Sequence, residues 1–166
     1  MRIRTLLLSL NIGLAVIAVQ AIAQNDWSSY GRDPGAQRYS PLTQINAGNV
    51  STLVQAWKYE TRPASSVAKS NQQSKTTPLM VNRVVYFVTP FQSLVAVEPE
   101  TGKTLWTFDH QHAARTSRGI AYWPGNKNAP PTIFFGTEDG FLIGVNARTG
   151  KLVPGFAKEG ELDLKP

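Results

Sequence analysis

His110 and His112 share one polar loop, residues 109–117, and are the only imidazoles in the chain. Imidazole is the side chain best suited to move protons or ligate metals near neutral pH. Two histidines without a third ligand make a weak metal site. The plainer reading is that both pack within the loop or lie at its surface. No serine, histidine and acid can be placed as a nucleophilic set, and no glycine-rich phosphate loop is present. The chain has no cysteine, which excludes a disulfide framework.

The elements that must position any chemistry are strands. Residues 96–106 read as strand, tight turn, strand. Val95 and Val97 alternate with smaller or polar neighbours, the period-2 pattern of a half-buried strand. Pro99 and Thr101-Gly102 punctuate it, with Gly102 supplying the positive φ that a reversing turn favours. The Glu98 carboxylate is expected to accept from turn N–H groups. Trp106 is too large to leave exposed and is expected to dock on a neighbouring layer.

The pattern returns. Residues 84–108 lie over residues 132–156 without a gap, at a constant offset of 48 (132 − 84). Tyr86 falls on Phe134, Leu94 on Leu142, Thr101-Gly102-Lys103 on Thr149-Gly150-Lys151, and Phe108 on Phe156. Shared strand composition aligns a few apolar positions by chance, but not two identical turns as well. A repeat of about 40 to 50 residues carrying several strands is the size of a propeller blade. Residues 56–59 resemble 105–108 at an offset of 49 (106 − 57), a partial third copy.

The first 23 residues read as a signal peptide. Arg2 and Arg4 form a basic start, residues 6–19 are mostly apolar, and Ala21-Ile22-Ala23 is a cleavage signal. The apolar run is short for a membrane span and no second one follows, so the expectation is export to the periplasm. Membrane association remains open, but no stable span is expected after cleavage. Removing the two arginines takes the formal charge from +6 to +4 (6 − 2). Lysine and arginine form no run, so no nucleic-acid footprint is read.

Residues 24–60 are expected to form an ordered arm, with Trp27, Tyr30 and Tyr39 interleaved among turn formers, and a first strand ending near Tyr59. Residues 61–76 read as a loop within the propeller part, 61–166. One blade is expected near residues 77–108, with strands at 77–81, 83–88, 94–98 and 103–108. The second is expected near 118–156, with strands at 118–123, 132–136, 141–145 and 151–156. Asn82-Arg83 and Glu138-Asp139-Gly140 are the tight corners. The charged tail from Ala157 has no expected partner. The fold class is all-β, a partial β-propeller of about two four-stranded blades.

These residues resemble the quinoprotein alcohol and sugar dehydrogenases, which use pyrroloquinoline quinone (PQQ). Residues 96–106 are similar to that family's tryptophan-docking motif, A-x-D-x-x-T-G-x-x-x-W, with Glu98 in the aspartate place. Glu98, Thr101, Gly102 and Trp106 carry the motif. The second copy keeps Thr149 and Gly150 but has Asn146 in the acidic place and Pro154 in the tryptophan place. Non-catalytic propeller scaffolds of the outer-membrane assembly type share such repeats, so a scaffold is the alternative reading. Two further stretches favour the dehydrogenases. Residues 27–33 with 38–46 are similar to the family's N-terminal arm, and Arg118-Gly119-Ile120-Ala121-Tyr122-Trp123 to its R-G-x-A-Y-W segment. The absence of cysteine points to the glucose-dehydrogenase-like branch.

The resemblance implies an eight-bladed propeller with PQQ on its axis over a calcium ion. It implies that Arg118 helps bind the cofactor, against the plainer reading of an arginine that caps strand carbonyls or pairs with Asp109. Lys75 stands where the family often has a glutamate before its T-P-L segment, and is a second candidate. No catalytic residue and no calcium ligand is expected in this chain. The implied partners are a sugar or other alcohol as substrate, and a quinone pool or cytochrome as electron acceptor. Repeat units bury their faces only by stacking, and roughly three are the usual minimum. The chain by itself is therefore expected to be marginally stable and inactive.

Overall fold

The computed structural model describes residues 26–61, 76–91, 93–112 and 116–166. The signal-peptide reading and Lys75 lie outside the described residues. Among the described residues, eight strands form two four-stranded antiparallel sheets. Sheet A holds β1 (Leu79–Val81), β2 (Val84–Val88), β3 (Ser93–Val97) and β4 (Thr104–Asp109), in that order. Sheet B repeats the order with β5 (Thr116–Trp123), β6 (Thr132–Thr137), β7 (Phe141–Asn146) and β8 (Glu161–Asp163).

Local sequence sets the turns. Asn82 and Arg83 both take positive φ, 51° and 61°. That matches the two-residue hairpin turn whose twist suits flanking strands. Gly140, at φ 88°, closes the β6–β7 turn, where Phe141 N–H also donates to Thr137 Oγ1 at 3.1 Å. The backbones of the two sheets meet between β2 and β5. One core fills the space between them: Leu79, Tyr86, Val88 and Leu94 from sheet A meet Ile120, Ile133, Phe135 and Ile143 from sheet B. Val95 and Val97 are also buried, and Tyr59 of the arm packs on Phe87 at 5.1 Å.

Three expectations are corrected. Residues 151–156 do not form the fourth strand of sheet B. Leu152 makes a single bridge to Val145, and Pro154, which has no N–H to give a ladder, starts an excursion. The ladder resumes only at Gly160, whose carbonyl accepts from Gly144 N–H at 2.9 Å. The tail from Ala157 therefore does have a partner, because β8 pairs with β7. Phe108 pairs with Leu94, and the residue opposite Leu142 is Leu162, not Phe156. The strand expected before Tyr59 is likewise absent. Val50–Thr52 is a short 3-10 turn, and the following residues to 61 lie in no ladder.

Candidate functional site

Antiparallel order puts the start of β1, the start of β5, the β6–β7 turn and the end of β4 at one end of the two sheets. Arg118 is at this end, near the start of β5. Thr116 pairs with Thr137 and Ile120 with Phe135. Ser117, Arg118 and Gly119 therefore face Gly136 alone, and Arg118 is the middle residue of a β-bulge. Bulges re-aim a side chain and are common beside active sites. Gly119 is exposed, and a Cβ built there would meet nothing within 4 Å. The segment Thr76-Thr77-Pro78, which follows Lys75, leads into β1 at the same end.

The opposite end is closed by the arm. Trp27 bridges Met80 through two backbone hydrogen bonds, 2.7 and 3.0 Å, and Asn82 N–H donates to Asp26 Oδ1 at 3.1 Å. A groove of about 470 Å³ lies between the sheets here, with Asn82, Tyr86, Trp106, Tyr122, Pro131 and Arg148 among its lining residues. Burial, then the neighbouring Tyr122, pushes the Tyr86 phenol up to about 12, against a smaller downward pull from Arg148. Burial, then Asp26, also raises Tyr122. Both hydroxyls thus stay protonated at physiological pH, and that of Tyr86 donates to Ala147 O at 3.2 Å.

The docking residues fall into a repeated contact. The Trp106 ring lies against Gly150, where a Cβ would stand 2.7 Å from Cδ2. Its Nε1 donates to Ala147 O at 3.2 Å. Trp57 lies in the same way on Gly102, at 2.6 Å from a built Cβ, and donates to Pro99 O at 2.8 Å. Each corner thus receives the tryptophan of the preceding copy. Gly102 and Gly150 also take φ 70° and 68°, so ring contact and backbone both require glycine there.

Glu98 does not cap the turn N–H groups as expected. The side chain is one methylene longer than aspartate and accepts from the Thr101 hydroxyl at 2.9 Å. Thr101 Oγ1 accepts in turn from Lys103 N–H at 3.1 Å. In the second copy Asn146 Oδ1 takes the turn amide of Arg148 at 2.9 Å, so the capping role falls to the residue outside the motif. Thr149 N–H donates to Asn146 O at 3.2 Å. Sequence reasoning missed the acceptor carbonyls of Pro99 and Ala147, although the repeat offset places them. It also missed the partners of His112, Asp139 and Glu161, which no motif signals. Among the described residues no group of three or more His, Asp or Glu is arranged to hold a metal ion.

Two consecutive four-stranded antiparallel sheets, each receiving the preceding tryptophan on a T-G corner, are two blades of a β-propeller. Residues 27–166 match the family model for the PQQ glucose/ethanol/alcohol dehydrogenase beta-propeller domain. The chain belongs to this family of quinoprotein dehydrogenases. It is 42% identical over 137 residues to an alcohol dehydrogenase (quinone), dehydrogenase subunit, of Gluconobacter oxydans, a match covering 77% of this chain and 16% of the relative. It is 33% identical to quinoprotein glucose dehydrogenase A of Acinetobacter calcoaceticus, covering 89% of this chain and 21% of the relative. A solved quinohemoprotein alcohol dehydrogenase from Pseudomonas putida HK5 superposes with a TM-score of 0.65 at 28% identity, over 86% of this chain and 19% of that one. The chain thus spans between 16% and 21% of the length of these relatives.

Proposed function

We propose that this chain is the cofactor-holding N-terminal part of a PQQ-dependent dehydrogenase that oxidises a sugar or other alcohol, and that Arg118 binds the cofactor. The observation that carries the reading is the bulge: three residues of β5 face one of β6, with Arg118 in the middle. Beside the bulge, the bare Gly119 leaves the backbone open to a ligand. A guanidinium pairs with a carboxylate through a planar two-pronged fork, and PQQ carries several carboxylates. When bound, PQQ supplies a quinone that accepts hydride from the substrate carbon.

Arg118 binds and orients and does no bond-breaking itself. Ile120 of β5 packs with Ile133 and Phe135 in the buried core beside it. Lys75, just before the segment leading into β1, is a second cation for the same ligand. Calcium is the metal proposed for the complete enzyme. The proposed partners of that enzyme are a sugar or alcohol substrate and a quinone pool or cytochrome as acceptor, in the periplasm.

The test is a titration of the 166-residue chain with PQQ, followed by tryptophan fluorescence. Trp123 lies on the same strand as Arg118 and is 36% exposed. Saturable quenching is expected, weakened about tenfold or more in Arg118→Ala and partly restored in Arg118→Lys, as for a charge-assisted contact. Quenching that is absent in the wild type, or indifferent to Arg118→Ala, overturns the assignment. The chain with PQQ, calcium, sugar or alcohol and a redox dye is expected to show no turnover, and turnover would place a base and metal ligands within it.

A further inference from the structure

His112 lies just beyond β4, at the same end as the β5 bulge, and its ring is held between two carboxylates of sheet B. Nδ1 stands 3.3 Å from Asp139 Oδ2, on the β6–β7 turn. Nε2 stands 3.1 Å from Glu161 Oε2, on β8. Phe141 packs against the ring at 4.1 Å. A neutral imidazole has one N–H and one lone pair, whereas an ionised carboxylate only accepts. Both contacts are favourable together only when both ring nitrogens carry protons. The Thr137 hydroxyl first, with His112 among the smaller causes, holds the Asp139 carboxyl below its usual range, so that partner stays ionised.

The neighbouring His110 is in the opposite situation. It is 5% exposed, neither ring nitrogen has a partner, and its ring centroid is 5.7 Å from that of His112. Burial and then the adjacent His112 push its pKa down. The other charged groups facing the cluster are Asp109, which acts on His110, and Lys165, whose ammonium sits 4.2 Å over the Phe141 ring. Lys165 is itself paired with Asp163 at 3.6 Å.

The position of this cluster gives it a consequence. Thr116 pairs with Thr137, and His112 pairs with Asp139 on the same turn. Both ends of the four-residue step from 112 to 116 are thus pinned to the β6–β7 turn, and Arg118 follows two residues later. We propose that His112 is a positioning residue: as an imidazolium it clasps Asp139 and Glu161, and so fixes the start of the strand whose bulge carries Arg118. The use made of Arg118 rests on the function proposed above; the clasp itself does not. His110, whose pKa is lowered by burial and then by His112, contributes stability that is lost as pH falls.

The experiment is amide hydrogen exchange of the full chain, normalised to unfolded-chain rates. His112→Gln is expected to speed exchange over residues 116–121 about tenfold, the loss expected for charge-assisted hydrogen bonds. The first three strands of sheet A should keep their protection. His112→Arg, permanently charged, should keep the protection. Nitrogen chemical shifts of the His112 ring should report two protonated nitrogens. Unchanged exchange in His112→Gln, or one bare ring nitrogen, overturns the clasp. If His112→Gln fails to fold, Glu161→Gln tests the same contact. Loss of PQQ quenching in Arg118→Ala is read separately, so a failure there sinks the functional reading and leaves the clasp standing.

Discussion

The two sheets share a 48-residue frame and differ at both edges. Sheet A is nearly regular. Its one ladder irregularity falls between Ala96 and Val97, where β4 inserts Leu105 alone. Sheet B departs from the frame twice. On β5 three residues face one. On the outer edge Leu152 pairs with Val145, and the ladder resumes at Gly160 opposite Gly144. Seven residues (153–159) are inserted where sheet A inserts one, a difference of six (7 − 1). Both departures in sheet B enlarge or add to places where pairing relaxes, and the T-G corner between them is unchanged. The blade tolerates insertion at its edges because the corner and the core, not the outer ladder, carry its register. The bulge on β5 has no counterpart on β1, whose pairing with β2 is regular.

The corners are therefore where a single change does most damage. Gly150→Val would force a β-branched residue to φ 68° and drive its Cβ into the Trp106 ring, where 2.7 Å is available. Strain and displacement of the ring together are expected to cost about 3 kcal/mol or more, read as a lower urea midpoint. Gly102→Val should cost about as much, since Trp57 lies on Gly102 in the same way. A mild effect at Gly102 beside a severe one at Gly150 would break the equivalence. It would mean that an arm residue outside any ladder docks without bearing stability.

Much of this was legible in the sequence because it repeats. Two T-G-K turns at a fixed offset gave the corners, and the period gave the blade. Asn82-Arg83 was readable as a corner from its place between two apolar runs. The failures share a cause. A gapless alignment carried 151–156 into a strand on the match of Phe156 with Phe108, although Pro154 has no N–H for a ladder. Composition at one pair outweighed backbone chemistry at another. The bulge at Arg118 left no trace, because pairing register is a property of two strands and the chain shows one at a time. The clasp on His112 was invisible for the same reason: its partners lie 27 and 49 residues downstream (139 − 112 and 161 − 112), on elements brought together only by the fold.

Removing residues 154–159 would make the outer edge of sheet B resemble that of sheet A. The ends of the excursion already meet on Gly144, which accepts from Val153 N–H at 3.0 Å and donates to Gly160 O at 2.9 Å. Shortening the loop changes its closure entropy by only a fraction of a kcal/mol. The cost comes from Phe156, whose ring packs on Phe134 at 4.9 Å. A net loss of about 1–2 kcal/mol is expected from uncovering Phe134, with β7–β8 amide protection retained. Loss of β8 protection would show that the excursion holds the edge strand in register and is not a tolerated insertion.

The smallest expected effect is at Tyr86, whose counterpart in sheet B is Phe134. The Tyr86 hydroxyl donates to Ala147 O at 3.2 Å, the same carbonyl that takes Trp106 Nε1 at 3.2 Å. Tyr86→Phe leaves that carbonyl with one donor, so the loss is expected to stay near about 0.5–1 kcal/mol, the net value of a neutral hydrogen bond. The pH dependence is the sharper readout. The folded phenol titrates at about 12 against an ordinary 10.0. A raised pKa on an acid means stability that is complete below pH 10 and drains away as pH climbs from 10 towards 12. Wild-type melting midpoints should fall across that alkaline window more steeply than those of Tyr86→Phe. Parallel slopes would mean that the phenol does not reach the next corner, and that sheets A and B differ at this position only in name.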